Sequence, residues 1–209
     1  MNAAVHPQST ADHTDLPYVL RAGVKLGIFE SLAVLVIGLV SKYVDGPIEL
    51  LLLLLLVTGT TLVVSFIPGI WTRARTIEGI AGAAGIGLAA TVVFLVVDVS
   101  FFQPFSLYTH RWRDIGGGSN WWYHPIWWMV GTYLPWLGAW ILANQAAKRG
   151  APSLPVAAGS VLGLTLVVTV LAVLFHFPGA GWNVGTFGVA LLPGLALATA
   201  VSAFGAHRK

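Results

Sequence analysis

The sequence predicts an all-α polytopic membrane protein, a six-transmembrane-helix bundle with both termini cytoplasmic, and three observations predict it. Of 209 residues, 56% are hydrophobic and only 9% charged, against roughly 25% charged in an average soluble domain. The apolar residues gather into six runs, each near the ~20 residues a helix needs to cross about 30 Å of hydrocarbon. The runs lack the alternation of a β-barrel, and in lipid a helix satisfies every backbone polar group within its own segment.

The runs fall at 24–44, 48–70, 79–102, 125–145, 154–176 and 184–205. Residues 1–22 are expected to be a short soluble tail, because "MNAAVHPQSTADHTDLPYVL" has no basic start before an apolar run. Residues 23–209 form a single six-helix membrane domain. Span one carries Glu30 in its cytoplasmic half. A carboxylate near a helix N-terminus is electrostatically favoured, and an intramembrane acid also suits a proton or ion step. Span two starts at Glu49 and continues through Leu50 to Leu56, a stretch with no small residue for close contact and so expected to meet lipid. Span three places Gly79, Ala83 and Gly87 four apart, the small-xxx-small spacing that lets helix backbones approach and marks the bundle centre. Asp98 lies near its outer end. Between spans three and four runs an outer loop, 103–124, rich in aromatic and histidine residues. Span four contains Pro135 and closes with Asn144 and Gln145 ahead of Lys148-Arg149, while span six contains Pro193-Gly194. Both prolines remove a helical hydrogen bond and predict kinks. The two halves share neither motif nor loop length, which argues against an inverted repeat.

Charge gives the orientation. Arg21, Lys25, Arg73, Arg75, Lys148, Arg149, Arg208 and Lys209 share one side, and Lys42, Arg111 and Arg113 take the other. The positive-inside rule then makes the termini cytoplasmic, in a membrane expected to be the bacterial inner membrane. The basic residues form no stripe, so nucleic acid is not an expected partner. With no cysteine, thiolate metal sites and thiol exchange are excluded. No G-x-S-x-G elbow, H-E-x-x-H helix, P-loop or dinucleotide fingerprint is present.

The polar residues left to carry chemistry cluster on the outer side. His110, His124 and His176 fall there with Asp98, and imidazole with carboxylate suits copper, zinc or iron. Two readings stay open. Either the histidines are separate interfacial side chains and Asp98 pairs with Arg111 or Arg113, or the four share a metal or provide axial ligands to a haem or chlorin. Trp112, Trp121, Trp122, Trp127, Trp128 and Trp182 also fall on this side. They read as the aromatic belt at the headgroup level, or as a cap over a pocket for a small apolar substrate, a quinone or a pigment. Gly116, Gly117 and Gly118 then make a turn or a lid.

Three fragments carry a family resemblance. In chain order "WTRAR" (Trp71 to Arg75) closes span two, "WWYHPI" (Trp121 to Ile126) opens span four ahead of "LPWLGAWIL", and "LFHFPGAGW" (Leu174 to Trp182) closes span five. This order resembles the A subunit of the copper membrane monooxygenases, the ammonia and methane oxidisers. The acidic, tryptophan-rich segment of that family between its first two spans is missing here, as is its soluble segment before the last span. The resemblance implies a bundle subunit in a complex with two other chains, oxidising a small apolar substrate with copper held largely by a partner. It transfers no ligand role to His110, His124 or His176.

The functional expectation is therefore a helical subunit of a larger membrane complex, of oxidoreductase type and with copper as the first cofactor to seek. The other subunits and the lipid bilayer would be its partners. From a different class, the alternative is a small-solute transporter or channel using Glu30 and Asp98.

Overall fold

The computed structural model describes residues 12–108 and 123–205. Among the described residues six long helices run up and down in sequence, each long and apolar enough to cross a membrane. They are α1 (Leu16–Tyr43), α2 (Pro47–Trp71), α3 (Ile77–Val97, continued by a π-helical turn over Asp98–Phe102), α4 (Tyr123–Arg149), α5 (Leu154–Leu174) and α6 (Val184–Ala203). The end that carries the α1–α2 and α5–α6 turns is called upper here; the other end holds Asp12 and Gly205. The outer surface is hydrocarbon-like: Leu50, Leu51 and Leu55 of α2 and Leu166, Val167 and Leu171 of α5 are all exposed. Exposed apolar surface on this scale belongs in lipid, and the chain is a multi-pass integral membrane protein.

The six spans match the sequence expectation closely, with three differences. First, α1 begins at Leu16 rather than at 24. Asp15 caps it by accepting the Tyr18 N–H at 3.1 Å, and the Tyr18 hydroxyl donates to the Trp71 carbonyl oxygen at 2.9 Å. These ties extend the helix through Arg21 and Lys25, beyond where apolar content alone would start it. Second, α4 runs to Arg149, so Asn144 and Gln145 sit inside it rather than ending it. Both are buried joints: Asn144 Nδ2 donates to Ser202 Oγ of α6 at 2.9 Å, and Gln145 Oε1 accepts from the Ser153 N–H at 2.9 Å. Third, α5 ends at Leu174, leaving His176 in the following turn with φ 52°.

α3 is the central helix and packs on α1, α2 and α4; α5 sits at the periphery, mainly against α6. Lipid offers no hydrophobic driving force between helices, so close approach of small residues must hold them. Ala83 packs in a cluster with Ala139 and Ala143 of α4. A Cβ on Gly87 would overlap the Gly131 carbonyl of α4 and reach within 2.5 Å of Pro135 Cγ. On a neighbouring face of α3, Gly27 of α1 comes so near Ala90 and Val93 that a Cβ would lie 2.6 Å from each. Gly138 of α4 meets the Ser65 carbonyl of α2 in the same way, and a Cβ on Gly69 would lie 2.8 Å from Ala139 Cα. Ala83 and Gly87 thus face α4, while Gly79 backs onto the Asp12 carboxylate. Several hydroxyls are satisfied within their own helices: Ser31, Ser65, Thr91 and Thr165 each donate to the carbonyl four residues earlier.

This packing predicts a sharp contrast between glycines. Gly138→Leu should destabilise the bundle by about 1–3 kcal/mol through overpacking. Gly163→Ala on the exposed side of α5, where a Cβ meets open space, should stay within about 0.5 kcal/mol. Unfolding of the detergent-solubilised protein by mixed-micelle denaturation reads both.

Candidate functional site

The tight contacts of α2 lie in its lower half, where Val64, Ser65, Phe66, Pro68 and Gly69 are buried; in the upper half only Glu49 is. The helix therefore stands off from the bundle above Val64, leaving a cavity of about 560 Å³. That volume falls within the ~300–1,000 Å³ usual for small-molecule sites. α1 supplies Glu30, Val34, Ile37 and Ser41, and α2 supplies Glu49, Leu53, Val57, Thr60 and Thr61. Phe94, Trp127 and Val130 form the far wall, and residues of α6 from Val184 to Leu192 close the side. The cavity floor is the contact of Thr91 with Gly131. Below it the core is dense, with Leu26, Ile86, Ile141, Val161 and Leu195 each at most 1% exposed.

The cavity spans the upper half of the bundle. From Glu30, near the middle of α1, to Ser41, near its top, the helix rises roughly 16 Å. Its walls are apolar, with hydroxyls from Ser41, Thr60, Thr61 and Thr91 and carboxylates from Glu30 and Glu49; among the described residues no Lys, Arg or His lines it. Glu49 is 3% exposed in the first turn of α2, where a carboxylate is favoured by the helix dipole. Glu30 is partly exposed to the cavity. Among the described residues no hydrogen bond or ion pair reaches its carboxylate. The sequence placed Glu30 in the cytoplasmic half of its span; the earlier start of α1 moves it to the middle.

The other expected site residues take different roles. Asp98 is fully buried at the start of the π-helical turn and does not line the cavity. Its carboxylate accepts the Gln103 Nε2–H at 2.7 Å and the Tyr108 hydroxyl. Arg111 and Arg113, the other expected partners, lie outside the described residues. The π-turn gains from this arrangement, since the segment after it folds back: Gln103 N–H donates to the Asp98 carbonyl at 3.0 Å and Leu107 N–H to Phe102 at 3.0 Å. His124 is half-buried in the first turn of α4, and His176 is exposed beyond α5. Asp98, His124 and His176 do not come together as a metal-holding group, and no such group occurs among the described residues. His110, Trp112, Trp121, Trp122 and Gly116 to Gly118 lie outside the described residues. Of the described tryptophans, Trp182 and Trp128 are exposed as a belt requires, whereas Trp127 turns inward onto Phe94, with ring centroids 4.8 Å apart, and walls the cavity.

Sequence reasoning missed Glu49, Thr60 and Thr61 as site residues. Glu49, Leu53, Val57, Thr60 and Val64 recur every three or four positions along α2, the spacing of one helix face. That signal was present but masked by the leucines between them.

Fold and cavity define a class: a polytopic α-helical membrane protein with a carboxylate-bearing pocket in one half of the bundle. Among known proteins, no family model, no curated protein and no solved structure matches this chain.

The Asp98 cluster predicts a structural penalty. Tyr108→Phe removes one donor from a buried carboxylate and should cost about 1–3 kcal/mol. Tryptophan fluorescence during thermal unfolding in detergent measures it.

Proposed function

We propose that this chain is a small-solute transporter or channel whose site is the upper-half cavity, with Glu30 at its deep end as the group that holds an ion, a proton or a cationic head. One observation carries this reading: a small-molecule-sized cavity reaches a mid-helix carboxylate and stops at a densely packed core. A carboxylate at that depth is costly in lipid, and such residues mark substrate, ion or proton pathways. The wall chemistry selects the solute class. Apolar walls such as Leu53, Val57 and Phe94 receive a hydrocarbon body, threonine hydroxyls offer hydrogen bonds, and an acid facing no base favours a protonated amine or other lipophilic cation.

Each residue has a distinct task. Glu49 and Ser41 stand at the upper end of the cavity, where negative charge attracts a cation entering from the upper surface. Glu30 holds the head group, and the Trp127–Phe94 pair gives it a π-face. Asp98 has no place in this scheme, because its carboxylate is committed to Gln103 and Tyr108. By the charge asymmetry of the helix ends, the cavity faces outside. The oxidoreductase-subunit expectation gains no support from the described candidate ligands, which do not converge.

Binding and flux test the proposal. Purified protein in liposomes should take up a small lipophilic amine, and Glu30→Gln should weaken binding about 10–100-fold through loss of a charge-assisted contact. Val130→Trp should block the cavity and abolish both while leaving the helical circular dichroism unchanged. Uptake that is the same in wild type, Glu30→Gln and Val130→Trp would rule the site out.

A further inference from the structure

A second site, independent of the cavity, lies at the lower end of the bundle. We infer that the pocket between the α2–α3 turn, the end of α4 and the start of α5 binds the phosphate of an acidic glycerophospholipid through Arg73 and Arg75. The pocket is about 320 Å³, walled by Gly69, Ile70, Leu142, Ala146 and Pro152, with both arginines at its edge.

The turn is built to present these two guanidinium groups. Arg73 adopts a left-handed backbone, φ 52°, a conformation that costs a residue with a side chain and persists only where neighbours enforce it. Here the Arg73 N–H donates to the Ile70 carbonyl at 3.0 Å, and the Ala74 N–H donates to Gly69 at 2.9 Å. Ala74 is 5% exposed, so the chain is pinned between two exposed arginines.

Of the nearby acids, Asp12 turns one carboxylate oxygen to the backbone of this turn, where it also accepts the Arg75 N–H at 3.5 Å. Neither Asp12 nor Glu78 forms an ion pair with either arginine side chain among the described residues. Asp12 Oδ2 takes the Thr76 N–H at 3.0 Å, the Gly79 N–H at 3.1 Å and the Thr76 hydroxyl, capping α3. Glu78 is exposed in the first turn of the same helix. Among the described residues no ion pair engages the Arg73 or Arg75 side chain. One turn beyond Ala146, Lys148 and Arg149 add further positive charge.

The wall decides between kinds of anion. A soluble phosphate needs only the arginines, but Ile70 and Leu142 offer apolar surface just inside them, and Ile70 is 38% exposed. Cations at the headgroup level with hydrocarbon contact beneath fit a lipid phosphate carrying an acyl chain. Basic pockets between transmembrane helices bind acidic headgroups in this way, and arginine's planar fork suits phosphate oxygens.

Native mass spectrometry and thermal shift in detergent test the assignment, with phosphatidylglycerol, phosphatidylcholine and inorganic phosphate as probes. Wild-type protein should retain and be stabilised by phosphatidylglycerol in preference to phosphatidylcholine. Arg73→Gln with Arg75→Gln should weaken the phosphatidylglycerol preference about 30-fold, at roughly 1 kcal/mol for each charge near the lipid surface. Arg73→Lys with Arg75→Lys, which keeps the charge, should restore part of it and reports a folded protein. Lys148→Gln with Arg149→Gln should leave most of the preference in place. Equal binding of the two lipids, equal stabilisation by inorganic phosphate, or an equal loss in the Lys148 and Arg149 variant would each overturn the assignment.

Discussion

Helices in lipid gain nothing from hiding apolar side chains from one another, and this constraint shapes the whole molecule. What joins them is backbone proximity, available only where side chains are small. Gly27 against α3, Gly87 against Gly131, Gly138 against Ser65 and Gly69 against Ala139 are therefore the joints of the bundle. They concentrate in its lower half and middle. Above them α2 has Leu, Val and Thr and stands away, and the space it leaves is the cavity. Packing and pocket are thus two results of one distribution of small residues.

Polar groups follow the same logic. Hydroxyls of Ser31, Thr91 and Thr165 turn back onto their own helices, so they impose no interhelical geometry. Asn144 and Gln145 do impose it, tying the foot of α4 to Ser202 and Ser153. Asp98 acts locally at the other end, holding the chain after the π-turn through Gln103 and Tyr108. Glu30 differs from all of these in facing a cavity instead of a donor.

The spans were legible because hydrocarbon thickness dictates helix length, and the spacing of Ala83 and Gly87 was legible because a four-residue repeat is a local property, whereas the Asp12 carboxylate beside Gly79 comes from 67 positions away. The start of α1 was not, since it depends on Tyr18 reaching Trp71, a contact across 53 positions. The cavity was equally hidden. Glu30 and Glu49 were visible as membrane carboxylates, yet that they share one space follows from where α2 diverges, which depends on Gly138 in another helix. Asp98 and Glu30 read alike in the sequence, both as acids within a span. The donors to Asp98, five and ten residues onward, become neighbours only when the π-turn folds the chain back.

The thinness of the wall at α2 has its own consequence. Leu53 and Val57 face the cavity while Leu51 and Leu55 on the same turns face lipid. A single helix thus separates the pocket from the bilayer interior. A hydrophobic molecule dissolved in the membrane has already shed its water before it meets the protein. Its apparent affinity from solution would then be the product of a partition coefficient and an intrinsic binding constant. Congeners would rank by oil–water partitioning first and by fit to the pocket second.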